Sequence, residues 1–211
     1  MSSAGTAASA ATLSHLFPLS ALPELRHRRY SVQEYEDLVR NGTLTENDRC
    51  ELIHGVITDK MGIGNLHMAC VKRLNRLFQA RAGIRYTVSI QDPIQLADSE
   101  PEPDCALVKY RDDDYRDAKP SAGDVLLLIE VADSSLEFDR GVKLALYAQS
   151  GIEDYWVVNI IDDCVEVCRR PQKSGVYGDR HVLQRGSDLS PLALPEMQLL
   201  VEDVLGARVA T

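Results

Sequence analysis

The chain has 211 residues, 45% of them hydrophobic, and a formal net charge of −9: enough apolar material for one domain with a core, and short for two. That charge excludes a protein that coats nucleic acid through a broad basic surface, but leaves room for an enzyme with a small metal-neutralised cleft. No apolar run reaches the roughly 18 residues that span a bilayer, and the N-terminus lacks a signal peptide's basic start and continuous apolar core, so a soluble cytoplasmic protein with no membrane partner is expected.

Residues 1 to 26, rich in Ala and Ser and broken by Pro18 and Pro23, read as a loosely ordered arm ahead of a single domain over residues 27 to 206. In SVQEYEDLV, Ser31 and Glu34 have the spacing of a capping box, which predicts a short helix. CELIHGVITDK reads as a hairpin turning at His54 and Gly55. From Leu66 to Ala82, Leu66, Cys70, Leu74, Leu77 and Phe78 recur at helical spacing, with Lys72, Arg73, Arg76 and Arg81 between them. That pattern predicts an amphipathic helix whose basic side either faces solvent or touches phosphates.

RYTVSIQ, CALVKY, VLLLIEVA, DYWVVNI and CVEVC follow as strands. A second helix is predicted over Glu137–Ser150, ended by Gly151 as a C-terminal cap. The order describes an α/β domain: a mixed β-sheet flanked by helices on both faces, with an N-terminal hairpin and extra C-terminal strands. The five cysteines, Cys50, Cys70, Cys105, Cys164 and Cys168, form no CxxC pair and read as small buried hydrophobes. Only Cys164 and Cys168, on one face of a strand, leave a zinc role conceivable.

Polar residues interrupt this pattern at informative places. Glu130 stands inside LLLIEVA, where an unpaired carboxylate costs several kcal/mol or takes up a proton, so it needs a partner: a basic side chain, a metal ion, or water at the strand end. Asp104 follows Pro103 at the entry to the preceding strand. Taken singly, such an Asp is an ordinary strand-start residue and such a Glu an ordinary ion-pair member. If the two strands are neighbours, however, both carboxylates face one point, and two anions held together invite a shared proton or a hard divalent cation such as magnesium. Asp139, Lys143 and Tyr147, spaced by four, make a polar stripe on the next helix. It is either a solvated ion-pair face or a stripe lying back over the carboxylates.

At these residues the sequence is similar to a known family. EPDCALV, LLLIEVADSS, FDRGVKLALYAQSGIEDYWVVN and the upstream CELIHG resemble, in order and spacing, the bacterial Uma-two family of restriction-endonuclease-like proteins, a branch of the PD-(D/E)xK nuclease superfamily. The likeness covers roughly residues 30 to 200. It implies a restriction-endonuclease-like core with Asp104 as the "PD" aspartate and Glu130 as the second acid. It also implies a magnesium site, with manganese as a substitute, formed by Asp104, Glu130, Val131 and Glu51, and hydrolysis of nucleic-acid phosphodiesters, DNA being the expected substrate. The sequence departs from the superfamily pattern at Ala132, where the lysine belongs. Resemblance to the family moves that lysine to the helix, at Lys143, supported by Asp139 and Tyr147. Glu51 is a metal ligand or a hairpin salt-bridge partner, and His67 faces the cleft or caps and packs its helix. By analogy a homodimer is implied. The alternative is a catalytically inactive nuclease-fold module that binds nucleic acid or protein. A zinc hydrolase lacks any HExxH-like pair.

Overall fold

The computed structural model describes residues 28–207; the arm read at residues 1 to 26 lies outside the described residues. Helix α1, Val32–Arg40, starts at the capping box: the Glu34 amide donates to Ser31 Oγ, and the Ser31 amide donates back to the Glu34 carboxylate at 2.9 Å. Its inner face buries Val32 and Tyr35, and the Tyr35 hydroxyl donates to the Cys50 carbonyl at 3.1 Å, tying the helix to the hairpin that follows. Strands β1, Cys50–Ile53, and β2, Val56–Asp59, meet through the two residues His54 and Gly55. Both have positive φ, 48° and 74°, which is what a tight turn matched to strand twist requires.

Helix α2, Asn65–Ala82, buries Cys70, Val71, Leu74 and Phe78 against the main sheet. Its basic side is not uniformly solvated as expected. Lys72 and Arg76 are exposed, but Arg73 turns inward and donates to the Leu205 carbonyl at 2.7 Å, satisfying the last turn of a C-terminal helix.

The main sheet holds β3, Tyr86–Ser89; β4, Cys105–Lys109; β5, Val125–Ala132; β6, Asp154–Asn159; β7, Cys164–Gln172; and β8, Val176–Gln184, in the spatial order β3-β4-β5-β6-β7-β8. All neighbours are antiparallel except β5 and β6, whose parallel pairing demands a crossover. Helix α3 supplies it, running through three consecutive segments, Leu136–Phe138, Asp139–Lys143 and Leu144–Ser150. The middle segment is a π turn, in which the Leu144 amide reaches the Asp139 carbonyl five residues back. The sequence indicated an uninterrupted helix here; nothing in apolar spacing marks one widened turn. Strand β8 is one of the extra C-terminal strands expected, but its place was not marked in the sequence, because Gly178, Asp179, Arg180 and His181 interrupt any alternation. A small pair, β9, Asp188–Leu189, and β10, Leu199–Leu200, leads into α4, Val201–Leu205.

Alternation along β5 splits the core in two. Leu127, Ile129 and Val131 face α2 and α4, whereas Leu128 and Ala132 face α3 with Leu144, Tyr147 and Ala148. Glu130 belongs to the second face, between Leu128 and Ala132. All five cysteines are buried free thiols. Among the described residues no helix is long and apolar enough to cross a membrane.

Gly151 ends α3 at φ 84°, and a Cβ there would meet nothing within 4 Å. Gly151→Ala therefore tests backbone strain alone. We expect a loss of about 1 kcal/mol, read as a lower urea midpoint with an unchanged denaturant slope.

Candidate active site

The register of β4 and β5 sets Cys105 opposite Ile129, which places Asp104 beside Glu130 where β5 runs on past the start of β4. The Val131 amide donates to Asp104 Oδ2 at 2.8 Å, and the Asp104 amide lies 3.4 Å from Glu130 Oε2. The crossover then returns α3 over the same strand end. Lys143 Nζ reaches Glu130 Oε1 at 2.9 Å and Glu51 Oε1 at 3.3 Å, and the Tyr147 hydroxyl donates to Glu130 Oε1 at 2.7 Å. Asp139 and Lys143 bound the π turn and Tyr147 lies one turn on; all three are buried on the side facing the carboxylates. The stripe is not a solvated face.

Glu51 reaches the group from β1, where its other oxygen accepts the Glu102 amide at 3.1 Å. Its ion pair is with Lys143, across the site, and not with a hairpin neighbour. His67, one turn into α2, points at Asp104, with Nε2 3.0 Å from Oδ2. Every candidate residue read from the sequence thus lies in or beside one cluster; Val131 contributes its amide, while its side chain packs in the opposite core. Two participants were not foreseen. Gln91, at φ 56° after the end of β3, donates to Asp104 Oδ1 at 3.2 Å, and Ser135 donates to Asp139 Oδ2 at 2.5 Å. The Asp92-Pro93 pair marks a turn at that place in the chain, but no sequence signal shows that the glutamine ahead of it points inward.

The cluster forms the floor of a cavity of about 680 Å³ walled by α1, the hairpin and the start of α3. Among the described residues, no three His, Cys, Asp or Glu side chains are grouped as a ready-made metal cage.

The family model of Uma2, described as "Putative restriction endonuclease", matches residues 32–202. The chain belongs to this family. A solved structure with a similar fold is that of a "putative nuclease belonging to DUF820" from Anabaena variabilis, 17% identical, with a TM-score of 0.60 over 83% of this chain and 97% of that one. No curated protein matches the chain.

Electrostatics in this Uma2 chain follow from burial of several carboxylates around one ammonium. Burial pushes Glu130 up to about 8; Lys143 pulls the other way, and Asp139, Asp104 and Glu51 add repulsion. Asp139 is raised to about 6 by burial, moderated by Ser135 and Lys143. For Lys143, burial opposes the charge, but Glu130, Glu51 and Asp139 outweigh it and hold the ammonium above the ordinary lysine range. These directions are compatible, since Lys143 faces three carboxylates and keeps its proton whichever of them is neutral. Asp104 differs: burial would raise it, but His67, the Val131 amide and Gln91 together hold it below the usual carboxylate range.

A carboxyl whose folded pKa is raised contributes stability that is complete below its unfolded value and is lost as pH rises through the folded one. For Glu130 that window runs from 4.5 to about 8. Glu130→Gln removes the titration while keeping an acceptor for Tyr147. The variant is expected to gain stability relative to wild type as pH rises from about 5 to about 9. Urea midpoints across that range measure the gain; a difference independent of pH would show that Glu130 is not the titrating group.

Proposed function

We propose that this chain is a metal-dependent nuclease that hydrolyses phosphodiester bonds of DNA, with Asp104 and Glu130 as the acids that hold magnesium and Lys143 as the catalytic cation. The observation that carries the reading is the meeting of three side chains, from the entry to β4, the end of β5 and α3, with Lys143 Nζ 2.9 Å from Glu130 Oε1. Membership of a family described as "Putative restriction endonuclease" supports phosphodiester hydrolysis as the reaction class. The donors suit a hard cation: they are carboxylate oxygens, they outnumber the one ammonium among them, and magnesium needs only one or two carboxylates because it retains several waters. Manganese suits the same oxygens. Glu51 is placed to add a third carboxylate.

When bound, the metal supplies Lewis acidity toward a phosphodiester oxygen and lowers the pKa of a water. The chain's residues do the rest by position and charge. Val131, Gln91 and His67 fix Asp104 from three sides and keep it ionised. Tyr147 orients Glu130. Lys143, protonated at any ordinary pH, offers its ammonium to the negative charge that builds on phosphoryl oxygens in the transition state. Ala132, on the same strand face as Glu130, is fully buried beneath α3. A lysine there would drive four carbons into packed space, whereas from α3 the ammonium arrives without disturbing the core.

Asp104→Asn and Glu130→Gln should abolish metal-dependent cleavage of DNA with the fold retained. Lys143→Ala should slow single-turnover cleavage by roughly two to three powers of ten while metal binding, followed by calorimetry, is largely kept. Wild-type rates in the Lys143 variant would remove that residue from the chemistry. No cleavage of supercoiled, linear or single-stranded DNA by the wild type with either metal would favour a non-catalytic binding module, which the full internal bonding of Asp104 also accommodates.

A further inference from the structure

The walls of the cavity say what kind of DNA can reach its floor. Asp104, Glu130, Glu51 and Lys143 are each 9% exposed or less, so the scissile phosphate must enter the cavity. Seven carboxylates line it against three permanent cations, Arg49, Lys60 and Lys143. Lys60 is paired with Glu102 and Lys143 with the floor. Among the described residues Arg49 has no hydrogen bond or ion pair from its side chain, and it lies exposed on the cavity wall. Its backbone sits in the left-handed region at φ 45°, ψ 57°, and its carbonyl is fixed by the Lys60 amide at 2.8 Å. L-residues rarely adopt that conformation, so the surrounding bonds hold Arg49 there against strain.

Another part of the wall is apolar. Val39 and Leu44 from α1 and the turn after it line the cavity with Met61 and Ile63 from the loop before α2. Val39, Met61 and Ile63 are 50%, 43% and 38% exposed, an unusual concentration of bare hydrophobes at one mouth. Duplex DNA presents a phosphate every 1.7 Å or so and calls for a row of cations, which this rim lacks. An unpaired nucleotide offers one phosphate and one apolar base face, and a cavity of about 680 Å³ is of the size that encloses a ligand of that class.

We infer that the cavity is a seat for a single unpaired nucleotide, its base against Val39, Leu44, Met61 and Ile63, its scissile phosphate on the floor and the neighbouring phosphate on Arg49, so that the substrate is single-stranded or locally unpaired DNA. The inference rests on the nuclease reading of the same floor and adds its substrate class. Enzymes that act in enclosed pockets meet single strands or extruded nucleotides in this way.

The test is fluorescence anisotropy with the Asp104→Asn full chain in magnesium. The probes are one labelled oligonucleotide as a single strand, as a blunt duplex, and as a duplex with an unpaired flap. Single strand and flap should bind at least about tenfold tighter than the blunt duplex, a fold-change within the range that burying one apolar base face supplies. Adding Arg49→Gln should weaken single-strand binding and reduce the slope of log affinity against log salt by about 0.7, the signature of one lost phosphate contact, while Arg49→Lys keeps the slope. Met61→Ser with Ile63→Ser should weaken binding several-fold at unchanged slope. Equal or tighter duplex binding, no binding to any form, or an unchanged slope in Arg49→Gln of unaltered thermal midpoint would overturn the seat. The two readings fail separately: wild-type cleavage of blunt duplex as fast as of single strand sinks the seat and keeps the nuclease, whereas tight single-strand binding without cleavage in any metal keeps the seat and sinks the nuclease.

Discussion

A carboxylate inside an apolar strand is the constraint on which the rest of this structure depends. Glu130 has Leu128 and Ala132 as neighbours on its own face and a second apolar core behind it. Its polar atoms are tolerable only where donors converge, and the fold brings them: Lys143 and Tyr147 from α3, and the Asp104 amide from the entry to β4. The parallel pairing of β5 with β6 follows from the same requirement. A hairpin would have carried the chain away from Glu130, whereas a crossover helix must pass back across the end of the strand it leaves.

Much of this was legible in the sequence. The capping box at Ser31 and Glu34, the turn at His54 and Gly55, the periodicity of α2 and the unbroken aliphatic run of β5 each express one local rule, and each element formed where that rule put it. Asp104 and Glu130 stood out because they broke apolar patterns, and Asp139, Lys143 and Tyr147 because they shared a helical spacing. What stayed hidden depends on contacts between distant segments. Arg73 reads as one more basic residue on a solvated face until α4 brings the Leu205 carbonyl to it. Gln91 enters the site because its backbone adopts a left-handed conformation, which no side-chain pattern announces. His67 was ambiguous for the same reason, and only the packing of α2 across the sheet decides that it meets Asp104.

The π turn in α3 shows how a local irregularity serves the site. In a regular α-helix, residues four apart drift around the axis by about 40°, because four steps of 100° overshoot one turn. Widening the turn reverses the sense of that drift over Asp139–Lys143, and both side chains are buried at the same cluster. Arg140, on the same turn, is held from outside by Glu166 on β7 at 2.5 Å and 2.8 Å, which anchors the irregular segment to the sheet.

The two borders of the sheet also shape how the molecule meets its own kind. On one side β3 is only four residues long. On the other β8 runs for nine, long enough to template another strand, but its centre carries Asp179, Arg180 and His181, with His181 Nε2 2.7 Å from Asp179 Oδ1. Any chain that extended the sheet there would have to accommodate these charged side chains in the middle of the new ladder. Charged side chains at that place disfavour promiscuous strand addition along this border, the hazard that a long outer strand otherwise carries.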